Sequence, residues 1–372
     1  MKSSKHLNVI SFDIPWPASY GGVIDVYYKL KALKESGVKV ILHCYEYGRE
    51  CADELNKICD EVHYYKRNIY KNPFYGKLPY IINTRNTKEL IDNLQKNNYP
   101  ILFEGLHTCY YLKDARLKDR IKIVRTHNIE HDYYKSLELV ETNYFKKYFF
   151  KVEAEKLKKF QQNLSHAAHI AAISPSDVTY LSKRFKNVFH LPPFHENEHI
   201  NNCSERGDFI LYHGNLGVGE NDEAAKYLVR EVFNQIDKPI IIAGNNPSKQ
   251  LLYMAASCNN IKLITDYNTE QIIDLIKQAH INVLPTFQAT GIKLKLINAL
   301  YNSRFCIVNT PMVKNTGLEP LCYIENTQQA TIKRITELWD KKWTSEDSKL
   351  RETILSAQFS NQENIKKLIA VI

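Results

Sequence analysis

Short apolar runs of strand length alternate with amphipathic stretches of helix length along most of this chain. Residues 6–12 (HLNVISF) read as a buried strand, 23–36 as a helix closed by Gly37, and 38–45 as the next strand. The first half continues with a helix over 87–97 and strands over 100–104, 121–125, 170–173 and 188–191. Ser174-Pro-Ser-Asp177 carries the signature of a helix N-terminus. Residues 56–80 are weakly patterned apart from a strand-like 61–65, and the polar, unperiodic 194–207 read as a linker. The second half repeats the scheme, with strands at 209–212, 239–243, 261–264, 281–284 and 305–308 and helices at 222–233, 270–278 and 292–302. A last helix is expected over 348–369. Strand–helix units in series predict an α/β protein with parallel sheets, and 372 residues suit two domains. The expected boundaries are 1–197 and 206–347, with 348–372 packing back on the first domain.

Residues 284–310 (LPTFQATGIKLKLINALYNSRFCIVNT) hold the densest chemistry. A strand runs into Pro285, the chain turns at Gly291, a helix follows, and a second strand completes the unit. Parallel sheets bind ligands beyond the carboxyl ends of their strands, where helix N-termini attract phosphate. Lys293 and Lys295 lie at such an end. At 100° per residue, Leu294, Ile297, Leu300 and Tyr301 share one face, and Lys295, Asn298 and Asn302 lie opposite. Lys293 falls on the apolar side. Either it reaches from the first turn toward an anion, or it snorkels along the edge of the core.

Three further features follow strand-like runs. Gly21-Gly22 sits in the first strand–helix loop but lacks the G-x-G-x-x-G pattern; a turn needing positive φ is the simpler reading. Thr126-His-Asn-Ile-Glu-His131 follows a strand, where His127 can contact a sugar or simply be a satisfied structural histidine. Residues 142–164 form the longest helical pattern, with an aromatic stripe from Tyr144 to Phe160 and positive charge from Lys146, Lys147, Lys151, Lys158 and Lys159. A basic aromatic helix can bind a membrane surface; we read this stripe as mainly core, its lysines forming a positive rim.

A net charge of +9 favours anionic partners, and with no recognition motif beside it nucleic acid is not expected. The eight cysteines show no C-x-x-C and no metal-ligand spacing, which fits a reducing, cytoplasmic setting. No run is long and apolar enough for a transmembrane span or signal peptide.

Five segments, taken in order, resemble the large retaining, nucleotide-sugar-dependent group of GT-B glycosyltransferases. Residues 13–22 look like the first-domain loop with the glycine pair, 125–130 like the histidine loop, and Ile173-Ser-Pro-Ser-Asp177 like the IS-x-x-D element. Residues 209–215 are similar to the second domain's opening strand and glycine loop, and 284–310 to the donor-binding segment. The resemblance implies two Rossmann-like domains facing across a cleft, a nucleoside diphosphate sugar as donor, and a glycan or lipid-linked acceptor, as in bacterial surface polysaccharide or glycoconjugate synthesis. It also implies retention of configuration, no cofactor and no obligatory metal; no D-x-D pair is present. A peripheral contact with the inner face of a membrane is left open.

Carried onto this chain, the donor site comprises Gly22, Gly214, Asn215, Thr290, Gly291, Lys293, Lys295 and Asn298, with His127 and Lys293 in catalytic positions. The nucleotide is expected between 213–215 and 290–298. Lys293 leads in neutralising the departing diphosphate, and Lys295, read as pointing to the opposite side of its helix, matters less. The chain departs from the family where Thr290 and Asn298 stand for two glutamates, and where basic residues after Gly214 are missing. Two other classes therefore stay open: a non-catalytic GT-B-like protein that binds a glycan or partner, and a nucleotide-sugar epimerase on the same fold.

Overall fold

The computed structural model describes residues 5–287 and 293–372. They form two compact units, one of residues 5–196 with 359–372 and one of 197–287 with 293–358. Each is built on a fully parallel sheet.

The first unit holds β1 (His6–Ser11), β2 (Lys39–Glu46), β3 (Glu61–Lys66), β4 (Ile101–Glu104), β5 (Lys122–Thr126), β6 (His169–Ala172) and β7 (Val188–His190). Their spatial order is β3-β2-β1-β4-β5-β6-β7. Successive residues face opposite sides of a strand, and both sides are covered here. Ile101 and Phe103 enter one core while Leu102 enters the other. That is why the strands read as unbroken apolar runs. The Gly21–Glu35 helix lays Val23, Val26, Leu30 and Leu33 on the second core. The single helix expected over 348–369 is two, Ser345–Phe359 and Asn361–Ile369, separated at Ser360. Only the latter belongs to the first unit, where Ile365 and Leu368 join the core beneath the Gly21–Glu35 helix.

The second unit holds β8 (Ile210–His213), β9 (Ile240–Ala243), β10 (Ile261–Ile264), β11 (Ile281–Leu284), β12 (Phe305–Val308) and β13 (Tyr323–Ile324), in the order β10-β9-β8-β11-β12-β13. β8 and β11, far apart in sequence, are neighbours: Ile210 pairs with Ile281 and Leu211 with Asn282. The two-residue β13 and the Gln328–Trp339 helix carried no reading in the sequence. Among the described residues, no helix is long and apolar enough to cross a membrane.

One expectation is overturned. The Tyr144–Phe160 helix buries Ala154, Leu157 and Phe160, but its first turns leave the core: Tyr144 and Phe145 are each 86% exposed and Tyr148 60%. The helix pairs with Glu130–Val140, which ends at Val140, so among the described residues no apolar layer covers the tip of this hairpin. The stripe is continuous in sequence because helical periodicity does not report where the neighbouring layer stops.

Candidate functional site

In the second unit, two loops meet at the carboxyl ends of β8 and β11. β8 ends in His213-Gly214-Asn215, and the Gly219–Tyr227 helix begins soon after. Asn215 shapes this turn: its side chain accepts from the N–H of Gly217 (3.0 Å) and its carbonyl from the side chain of Asn221 (2.9 Å). Gly244, at the end of β9, has no room for a Cβ, which would collide with Leu216 and the Gly214 carbonyl; the glycine lets the loop close onto the sheet. The opposing loop leaves β11 through Pro285 and Thr286. Asn309 clamps the Thr286 backbone at both ends, accepting from its N–H (3.0 Å) and donating to its carbonyl (2.7 Å).

The Leu294–Asn302 helix starts later than expected, with Lys293 in extended backbone at the N-cap. Lys293 Nζ stands 3.5 Å from a carboxylate oxygen of Glu220, and the other oxygen of Glu220 accepts from the Thr286 hydroxyl. Lys295 does not point away. Its Nζ donates to the Asn221 side chain (2.9 Å) and lies 5.3 Å from the centre of the Tyr212 ring. Burial pushes the Lys295 ammonium down to about 8, with Glu220 drawing it up and Lys293 pressing it further down. Behind it, burial and the Lys295 charge hold His213 down to about 3, a neutral imidazole whose Nε2 has no hydrogen-bond partner among the described residues. The helix face read as polar is therefore engaged by other parts of the unit. Asn298 accepts from Asn197 (2.8 Å), and Asn302 donates to Asn197 (2.6 Å). Thr290 and Gly291 lie outside the described residues. Glu220, Asn221 and Thr286 escaped the sequence reading; an acid in the first turn after a glycine loop was the available signal.

In the first unit, Gly22 is not in a turn. It is the second residue of the Gly21–Glu35 helix, and a Cβ there would stand 2.7 Å from the Phe12 ring. The glycine serves a close approach to Phe12, and positive φ plays no part.

His127 follows β5 and sits in a buried charge network. Its Nε2–H donates to Glu104 (3.1 Å), and its Nδ1 is 3.8 Å from Asp25. Lys29 bridges Asp25 (2.9 Å) and Glu104 (2.8 Å). Arg125 donates to both oxygens of Asp25 (3.1 Å each) and to the Leu191 and Pro192 carbonyls. The Phe194 N–H completes the shell of Asp25 at 2.8 Å. Burial alone would push the Asp25 carboxyl up, but Arg125 and Lys29 outweigh it and hold it well below the usual range. The same contest, won chiefly by Lys29, lowers Glu104. Ligand atoms of Asp25, Glu104 and His127 lie within 4.8 Å of one another, close enough for a metal ion. The donor set does not fit one, because the Lys29 ammonium already takes both carboxylates. None of Asp25, Lys29, Glu104 or Arg125 was singled out in the sequence, although a lysine on the apolar stripe of a helix and an arginine inside an apolar strand were visible there.

No family model matches the chain. A Klebsiella pneumoniae protein described as an uncharacterized 44.6 kDa protein in the cps region is 28% identical over 332 residues, 83% of this chain and 84% of its own length. Among solved structures, TarM superposes with a TM-score of 0.70 at 10% identity, covering 100% of this chain and 99% of that one. HepE of Anabaena, in complex with UDP and glucose, gives 0.65 at 10% identity, with 98% and 100% covered. The lipopolysaccharide outer core galactosyltransferase WaaB gives 0.64 at 12%, with 98% and 99% covered. The α/β architecture, with two parallel sheets, is thus the GT-B fold that the sequence resemblance implies.

Proposed function

We propose that this chain is a glycosyltransferase that takes a sugar from a nucleoside diphosphate sugar, with retention, to a glycan or lipid-linked acceptor of a surface polysaccharide or glycoconjugate. The observation that carries the reading is the meeting of the β8 and β11 loops. It sets Lys293 and Lys295 against the Glu220–Asn221 end of the facing helix, at the carboxyl edge of one sheet. Two cations and one carboxylate leave a net positive charge there, beside the N-termini of the Gly219–Tyr227 and Leu294–Asn302 helices. Transfer places negative charge on the departing diphosphate, and cations already fixed at that point lower the barrier without reorganising. Lys293 is the leading electrostatic group; the family resemblance assigns Gly214, Asn215, Thr290, Gly291, Lys295 and Asn298 to the donor, and gives His127 and Gly22 of the first unit their roles by the same resemblance. Chemistry of this kind requires neither a cofactor nor an obligatory metal. The bound UDP and glucose of HepE and the cps-region placing of the Klebsiella protein support the donor and pathway classes.

The test is incubation with a panel of UDP- and GDP-sugars, with and without lipid-linked and glycan acceptors, following released nucleotide and anomeric configuration. Acceptor-stimulated release with retention is expected. Donor binding without release would replace the reading with a non-catalytic binder, and epimerised donor with an epimerase.

A further inference from the structure

We infer that the first unit docks on an anionic lipid surface through an aromatic patch assembled from two segments, 69–75 and 139–148. Half of the large hydrophobic side chains standing exposed among the described residues belong to these two short stretches, so the exposure is concentrated. Soluble surfaces scatter such residues singly, and a contiguous cluster marks a contact. Tyr70 is 94% exposed and Tyr75 83%, matching the exposure of Tyr144 and Phe145. The two segments form one surface: the Phe74 ring stacks on Tyr148 at 5.6 Å and meets Phe149 edge-on at 6.4 Å, and Lys156 Nζ donates to the Pro73 carbonyl at 2.9 Å.

The charge around the patch selects the partner. Residues 66–77 contain Lys66, Arg67, Lys71 and Lys77, residues 142–152 contain Lys146, Lys147 and Lys151, and neither stretch contains an acid. Lys66, Lys77, Lys146, Lys147 and Lys151 are exposed. The acid of the hairpin turn, Glu141, is folded back onto the N–H of Asn143 at 2.8 Å. Tyrosine and phenylalanine favour the boundary between headgroups and acyl chains, and lysines around them reach anionic headgroups. A neutral protein partner would make no use of the lysine ring. The hairpin inserts its aromatic tip at the headgroup level while the lysines hold the surface by charge, a contact weakened by salt. This inference stands on the patch alone and does not depend on the proposed reaction.

The experiment is cosedimentation of the full chain with vesicles of phosphatidylglycerol and phosphatidylcholine in equal parts, and with phosphatidylcholine alone, at low and high salt. Binding to the anionic vesicles, weakened by salt, is expected. Lys146→Gln with Lys147→Gln should lower it by about fivefold per lysine. Tyr144→Ser with Phe145→Ser should lower it by about tenfold or more, as interfacial apolar area is lost. Both pairs are exposed, so the variants should melt with the parent chain. Absence of binding to the anionic vesicles overturns the inference. So does binding that neither variant pair weakens, and so does a dimer seen by light scattering that Tyr144→Ser with Phe145→Ser dissolves while vesicle binding is unchanged.

Discussion

Both units place polar residues at the carboxyl ends of their strands, yet they settle the charge differently. In the first, Lys29 and Arg125 face Asp25 and Glu104, so the formal charges cancel and hydrogen bonds fill the shell. In the second, Glu220 is the one carboxylate that Lys293 and Lys295 face among the described residues. Buried charges cost several kcal/mol each to desolvate and persist only when paired. A balanced network in the interior therefore acts as scaffold, here fixing the strand end from which His127 emerges. An excess of one sign at a loop edge is instead suited to a ligand of the other sign. Motif reading ranked His127 and Lys293 together as catalytic, whereas the surroundings of the two differ in kind.

The largest expected effect is on the balanced side. Asp25→Ala leaves Lys29 and Arg125 buried beside an uncompensated gap and should cost about 3–5 kcal/mol of stability. Urea unfolding measures this, and a loss below about 1 kcal/mol would remove the network from its scaffold role. On the other side, Lys293→Ala should lower transfer on the order of 10²-fold, the scale of losing one preorganised donor at a developing charge. Its ion pair is partly exposed, so stability should move by no more than about 1 kcal/mol. A near-normal rate with a lowered melting temperature would reverse the two roles.

A pH series sharpens the contrast further. Lys295 carries its charge below about 8 and loses it above. Nucleoside diphosphate affinity should therefore fall roughly three- to tenfold between about pH 7 and about pH 9.5, and Lys295→Gln should flatten the profile. Stability moves the other way. Between about 8 and the ordinary lysine value the unfolded chain binds more protons than the folded one, so this residue makes the fold more stable as pH rises through that window. The smallest effect is expected from Glu220→Gln, which removes the carboxylate facing Lys293 and should tighten nucleotide binding about two- to fivefold, read by calorimetry. Weaker binding would mean that Glu220 serves to orient Lys293.

Periodicity alone determined the parallel α/β class and most of the strands. A strand covered on both faces is an uninterrupted apolar run, as at 281–284 and 305–308, and such runs depend on local composition. The glycine loop at 214 and the cationic helix start at 293 were legible for the same reason, since each is a local pattern after a strand. Everything that gives those residues their partners was decided by the tertiary structure. Glu220 and Lys293 are 73 positions apart, and Asp25 and Arg125 are 100. They meet only because β11 lies beside β8, and because β4 and β5 follow β1 in the first sheet. The 100° wheel put Lys295 and Asn298 opposite the apolar face, but a wheel describes one helix in isolation. Asn197 and Asn221, supplied from elsewhere in the unit, turned that face into a contact. The tip of the Tyr144–Phe160 helix shows the converse. A sequence can declare a residue apolar, but whether another layer reaches far enough to cover it depends on where the neighbouring elements end.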